Sequence, residues 1–193
     1  MAIAAVRPAA AADVDEIVRI QATTWETAYA ELVPPAALAQ LRSPEARRAW
    51  AGAIGAGGGS HVLVATEGEW TVGFCAAAPA QPPARDAAVE PPDTTEAPGI
   101  GVEHWAEIGA LLVEPRWGRR GHGGRLLATA AHALHNAGAL YGLAWVPEAD
   151  AASRSFYQRV GWEPDGTVRV LDTGEGTLRE VRLVGSLDLK LEP

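Results

Sequence analysis

Between Val113 and Leu127 the chain reads Val-Glu-Pro-Arg-Trp-Gly-Arg-Arg-Gly-His-Gly-Gly-Arg-Leu-Leu. The apolar run Ala110 to Val113 enters this stretch. Leu126, Leu127, Ala130, Ala131 and Leu134 follow it at helical spacing. The pattern predicts a strand, a glycine-rich turn over Gly118 to Gly124, and a helix. The first N–H groups of a helix have no partner within it and carry partial positive charge. A pyrophosphate fits such an end without a dedicated side chain. Gly121, Gly123 and Gly124 let backbone come close, and Arg119, Arg120 and Arg125 add charge. Two common nucleotide motifs fail. Gly123-Gly124-Arg125-Leu126 stands where a Walker loop needs Gly-Lys-Ser/Thr, and Leu126 stands where a dinucleotide fingerprint needs a third glycine. Taken alone, the segment is either a phosphate cradle or a plain glycine-rich turn.

Other reactive side chains offer less. His122, inside the turn, is expected to pack near a ligand rather than act as a base. His132 and His135 share a helix face but bring no carboxylate cluster, so no metal site is expected. Cys75, the one cysteine, lies in an apolar strand and is expected to be buried and inert. One thiol makes no internal disulfide, which fits a reducing compartment, and the expected location is cytoplasmic. Sixteen basic residues against twenty-four acidic ones give a net charge of −8. That balance argues against a nucleic-acid partner. No apolar run is long enough to span a membrane, and Met1 to Ala12 lacks the basic start of a signal peptide.

The elements that must hold the turn follow from periodicity and breakers. The chain, 193 residues long, suits a single domain over 1–193. Ile3 to Arg7 reads as a strand broken by Pro8. Asp13 opens a helix with Val14, Ile17 and Val18 on one face. Helices follow Pro34-Pro35 and Ser43-Pro44. His61 to Thr66 and Thr71 to Ala77 form a hairpin about Gly68-Glu69. A proline-rich loop spans about 79–104, either a substrate lid or an insertion without structure. Trp105 to Val113 is a strand, and Gly138 ends the helix after the turn. Ala139 to Val146 is the next strand, Asp150 caps a helix through Val160, and Thr167 to Leu171 with Arg179 to Leu189 close the fold as a hairpin. The fold class is α/β: a mixed, mostly antiparallel central sheet of about seven strands flanked by helices.

A second segment gives the turn its context. Leu143-Ala-Trp-Val146, then Asp150, Ser153-Arg-Ser-Phe-Tyr157 and Val160-Gly-Trp162 resemble the acyl-CoA-side motif of the GNAT N-acetyltransferases. In that family a Leu-x-Val strand is followed by Asn, Ala-Arg-x-Phe-Tyr and Gly-Phe. The glycine-rich turn resembles the family's pyrophosphate motif, Arg/Gln-x-x-Gly-x-Gly. Val72-Gly73-Phe74 looks like the strand before the central one. Trp25, Tyr29 and Val33-Pro34 look like a segment of one bacterial branch, as do Gly166 and Glu180-Val-Arg182 in its closing hairpin. Two positions depart from the pattern: Gly118 stands at the family's Arg or Gln, with Arg119 one step late, and Asp150 stands at its Asn, where a cap role is expected.

The resemblance implies an acetyl-CoA-dependent transfer of an acetyl group to an amine, by direct attack in a ternary complex. It implies that Leu112, Val113, Arg119, Arg120, Gly121, His122, Gly123, Gly124, Arg125, Asp150 and Ser153 hold acetyl-CoA, without a metal. N–H groups near Leu112 and Val113 would polarise the thioester carbonyl. Tyr157 would protonate the leaving thiolate, and Glu107 would take the amine's proton through water. Trp25, Glu26 and Tyr29 either line the acceptor pocket or only pack a helix. The expected partner is a small-molecule or peptide amine, and a homodimer is also allowed. A module that binds acyl-CoA without transfer, or a transferase using another acyl group or a hydroxyl acceptor, would carry the same motifs.

Overall fold

The computed structural model describes residues 3–80 and 104–189. One seven-stranded sheet runs through the molecule in the order β1-β2-β3-β4-β5-β7-β6. Its strands are β1 (Ala4–Pro8), β2 (His61–Glu67), β3 (Trp70–Pro79), β4 (Trp105–Val113), β5 (Tyr141–Pro147), β6 (Glu163–Asp172) and β7 (Thr177–Ser186). Every neighbouring pair is antiparallel except β4 with β5, which is parallel. The helices are α1 (Val14–Ala28), α2 (Pro35–Gln40), α3 (Pro44–Gly55), α4 (His122–Asn136) and α5 (Ala151–Arg159). This is the mixed, mostly antiparallel α/β sheet that the periodicity predicts.

Two apolar layers hold the sheet. On one face α4 buries Leu126, Leu127, Ala130, Ala131 and Leu134 against Leu63, Cys75, Ile108 and Ala144. On the other, Ile17 and Ile20 of α1 and Trp50 of α3 pack on Val62, Val64 and Phe74. Cys75 is fully buried, and burial pushes its thiol up to about 12, so it is not a nucleophile. Asp13 tethers the start of α1. Its carboxylate accepts both ends of the Arg7 guanidinium, at 2.7 and 2.8 Å, and the N–H of Ala10.

Several boundaries differ from the sequence reading. Pro8 closes β1 instead of breaking it, which this strand tolerates because among the described residues it pairs on one side alone, as an edge strand does. Gly123 and Gly124 belong to the first turn of α4, since the helix begins at His122 behind Gly121, whose φ is +79°. β6 starts at Glu163, across a register irregularity around Gly166, and β7 ends at Ser186. Of the proline-rich loop, Pro79 is the last residue of β3, and Ala80 donates its N–H to the Trp105 carbonyl. Residues 81–103 lie outside the described residues, and so does the choice between lid and insertion.

Candidate active site

The site begins with a fault in the sheet. β4 and β5 pair only over Trp105 to Glu107 against Tyr141 to Leu143. Beyond that, β4 stays on β3 and β5 stays on β7 up to Pro147, so the two central strands part. A bulge sets the orientation of β4 at the parting. Ala110 faces Ala76 and Ile108 faces Ala77, leaving Gly109 as an extra residue without a partner on β3. Before the bulge Ala106 and Ile108 point to the α4 layer; after it Leu111 and Val113 do.

The backbone of this stretch has a defined polarity. Glu114 donates its N–H to the Val72 carbonyl. Antiparallel pairs alternate, so the N–H of Leu112 also points to β3, and those of Leu111 and Val113 point into the gap beside β5. The resemblance implies that N–H groups near Leu112 and Val113 polarise the carbonyl. The ladder instead assigns the open positions to Leu111 and Val113, because Leu112 is used by Phe74 across the strand.

A cleft of about 470 Å³ opens on the α4–α5 side of the gap. Of the residues the motifs single out, Val113, Arg119, Gly121, His122, Gly123, Gly124 and Ser153 line it. Arg119 adopts a left-handed φ of 61°, a conformation that keeps this turn tight. Arg120 and Arg125 do not line the cleft. Arg120 pairs with Glu67 at 3.0 Å and lies over the Trp117 ring, while Arg125 bonds the Arg120 carbonyl. Trp117, Phe156 and Arg159 line it without having been read from the sequence. Arg159 sits in the last turn of α5 and meets the cleft only through the packing of that helix. His122 is buried and its Nε2 lies 2.8 Å from Glu67 Oε2, so it anchors the start of α4 to the end of β2.

Asp150 is a cap. Its Oδ1 accepts the Ser153 N–H at 2.9 Å, and its Oδ2 accepts the hydroxyls of Ser153 and Tyr29. The cap orients α5, and α5 presents Tyr157 to the gap. Tyr157 stacks on Trp162 at 5.3 Å and meets Phe156 edge-on at 5.2 Å. Burial pushes its phenol well above the usual tyrosine range, so it stays protonated. Among the described residues its hydroxyl makes no hydrogen bond.

A second cavity, about 250 Å³, lies on the α1 side of the gap. Leu111 and Tyr157 border both spaces. Trp25 and Tyr29 line the second cavity with Leu112; Glu26 does not, being held by Arg42 at 2.8 Å on the surface. Trp145, Arg169 and Glu180 also line it. The sequence does not reveal them as a group, because Arg169 and Glu180 meet only through the β6–β7 register. Glu107 is not in this cavity. It lines a neighbouring hollow with Ala53, His61 and Pro79, and the two spaces adjoin at Gly109.

A sheet parted at its one parallel pair, with a glycine-rich helix start at the mouth of the gap, defines a GNAT-type acetyltransferase fold. The chain belongs to the GNAT acetyltransferase family, whose family model, described as Acetyltransferase (GNAT) family, matches residues 16–162. Similar solved structures include the PaiA N-acetyltransferase of Thermoplasma acidophilum in complex with coenzyme A. It is 15% identical with a TM-score of 0.70, over 93% of this chain and 98% of that one. The ribosomal-protein-alanine N-acetyltransferase of Brucella melitensis is 21% identical with a TM-score of 0.70, over 94% and 99%. YncA of Salmonella typhimurium, solved with acetyl-CoA, is 19% identical with a TM-score of 0.65, over 98% and 97%. A comparison with curated protein sequences finds no match.

Proposed function

We propose that this protein is an acetyl-CoA-dependent N-acetyltransferase, with direct attack of an amine on the thioester in a ternary complex. One observation carries the reading: Tyr157 and the open edge of β4 stand between a nucleotide-sized cleft and a smaller cavity on the opposite face. The cleft suits coenzyme A. Its pyrophosphate would meet the first N–H groups of α4, where Gly121 holds a left-handed turn, with Arg119 and Arg159 at the rim. The Trp117 indole N–H, beside the cleft, is buried without a hydrogen-bond partner among the described residues.

The chemistry divides as follows. An ammonium loses a proton before attack, since a lysine-like amine has a pKa of about 10.4. Glu107 accepts it through water, reached past Gly109. The amine nitrogen bonds the carbonyl carbon, and the N–H groups of Leu111 and Val113 receive the growing charge on oxygen. The C–S bond then breaks, the Tyr157 hydroxyl gives its proton to the thiolate, and the second proton leaving the amine nitrogen returns through water to the tyrosinate. Thiol release from acetyl-CoA over a panel of amines tests the reading. Turnover with at least one amine is expected. Acetyl-CoA that binds without releasing thiol to any amine class would leave a binding module or a transferase with a hydroxyl acceptor.

A further inference from the structure

We propose that the cavity between α1 and the β6–β7 hairpin takes a small amine that also bears a carboxylate, an amino acid or its close relative. Arg169 binds the carboxylate and Glu180 faces the amino group. The proposal rests on the N-acetyltransferase reading and specifies its acceptor.

Among the described residues, Arg169 and Glu180 are the only charged side chains lining this cavity. They stand directly opposite in the β6–β7 ladder, and Arg169 donates its Nε–H to Glu180 Oε2 at 2.6 Å. That bond uses one corner of each group. Nη1 and Nη2 of Arg169, and Oε1 of Glu180, have no hydrogen-bond partner among the described residues. The Glu180 side chain is only 8% exposed, against 39% for Arg169. Oε1 is not sealed off, so a donor entering the cavity can reach it.

The guanidinium is also held in place. Its carbon lies 4.4 Å from the centroid of the Trp145 ring. Stacking fixes the plane of the fork and leaves its Nη edge open, the geometry that accepts a carboxylate in two parallel bonds. A polyamine fits poorly, because it brings cations and no anion to a guanidinium. A peptide amine fits poorly as well, because its carboxylate is consumed in the amide. The volume, about 250 Å³, lies below the roughly 300–1,000 Å³ of most ligand pockets and suits a small molecule.

Thiol release with matched acceptors tests this: a set of amino acids, their amides, and the amines left by removing the carboxylate. The expected kcat/KM favours the best amino acid over its amide and amine by about 10- to 100-fold, as for loss of a charged hydrogen-bonded pair. Arg169→Lys keeps the charge beside Glu180 but loses the fork, so the preference should fall toward one. Equal rates for all three forms in the wild type overturn the proposal and leave the acetyltransferase reading intact. If Arg169→Lys fails to fold, the wild-type series decides alone. If no acceptor releases thiol, the transfer reading fails. Calorimetric titration of the same three compounds onto the CoA-saturated protein then decides: preferential binding of the amino acid sustains the site, and equal binding removes it.

Discussion

At the scale of single residues, the proposed acid is the most exposed to test. Tyr157 carries a hydroxyl that no neighbour among the described residues uses, on a ring packed between Phe156 and Trp162. Tyr157→Phe removes the hydroxyl and keeps the ring, so urea denaturation should show little change in stability. Acid catalysis contributes roughly 10²–10⁴-fold. A thiolate, with a thiol pKa of about 8.5, leaves tolerably without help. Turnover at pH 7 should therefore fall about a hundredfold, with the KM for acetyl-CoA moving much less. The deficit should shrink above the thiol pKa. Full activity in the variant at pH 7 would make Tyr157 a packing residue. Tyr157 was readable from sequence because its motif is local, four residues after Ser153 on one helix. Arg169 and Glu180 were not, because eleven positions separate them and only strand register joins them. Arg120 and Arg125 misled for a similar reason: charge near a turn does not say which way a long side chain lies, and Glu67 draws Arg120 away.

At the scale of elements, the proposed acid is positioned by a slot that only glycines allow. Trp162 is fully buried, and its indole N–H donates to the Ser186 carbonyl. Its ring lies against Gly142 of β5 and Gly185 of β7. A β-carbon at Gly142 would stand 2.3 Å from the ring, and one at Gly185 would stand 2.2 Å from it. No carbon atoms approach so closely, and a fully buried ring has no free space to enter. Gly185→Ala should therefore cost about 1–3 kcal/mol in urea denaturation, as overpacked cores do. Because Tyr157 stacks on the same ring, turnover should fall as well. Gly52→Ala in α3, where among the described residues nothing outside the helix's own backbone lies within 4 Å of a new β-carbon, is the control, and it should be neutral or slightly stabilising. An unchanged melting curve for Gly185→Ala would mean that the slot yields easily. The glycines were visible in the sequence, but their purpose was not, since it depends on two strands and a loop residue meeting in space.

At the scale of the whole molecule, the charged tethers and the parted sheet set how the protein responds to pH and to ligand. Asp13 is held below its ordinary 3.8, first by its bonds from Arg7, and Glu67 below its ordinary 4.5, first by His122 and then by Arg120. Both are depressed carboxylates. Their contribution is complete above those ordinary values and is lost as pH falls through the lower folded-state values. Melting temperature should thus fall from about pH 4.5 downward, with Glu67→Gln flattening part of the slope. The sheet itself is divided where β4 and β5 part, a feature that the alternation of strands and helices predicts no better than the order β5-β7-β6. Among the described residues the β4–β5 ladder is confined to Trp105 to Glu107. The N–H groups of Leu111 and Val113 thus lack a strand partner among the described residues, while that of Leu112 faces β3. Amide hydrogen exchange should be fast at Leu111 and Val113 in the free protein and slow at Leu112. Acetyl-CoA, occupying the gap, should protect Leu111 and Val113 and join the halves. At 100 times its dissociation constant it should add about 2.7 kcal/mol of stability. For a chain of this size that is a rise in Tm of roughly 5–10 °C. Protection at Leu112 instead of its neighbours would reverse the assigned polarity of β4. A rise in Tm without protection at any of the three would place the ligand outside the gap.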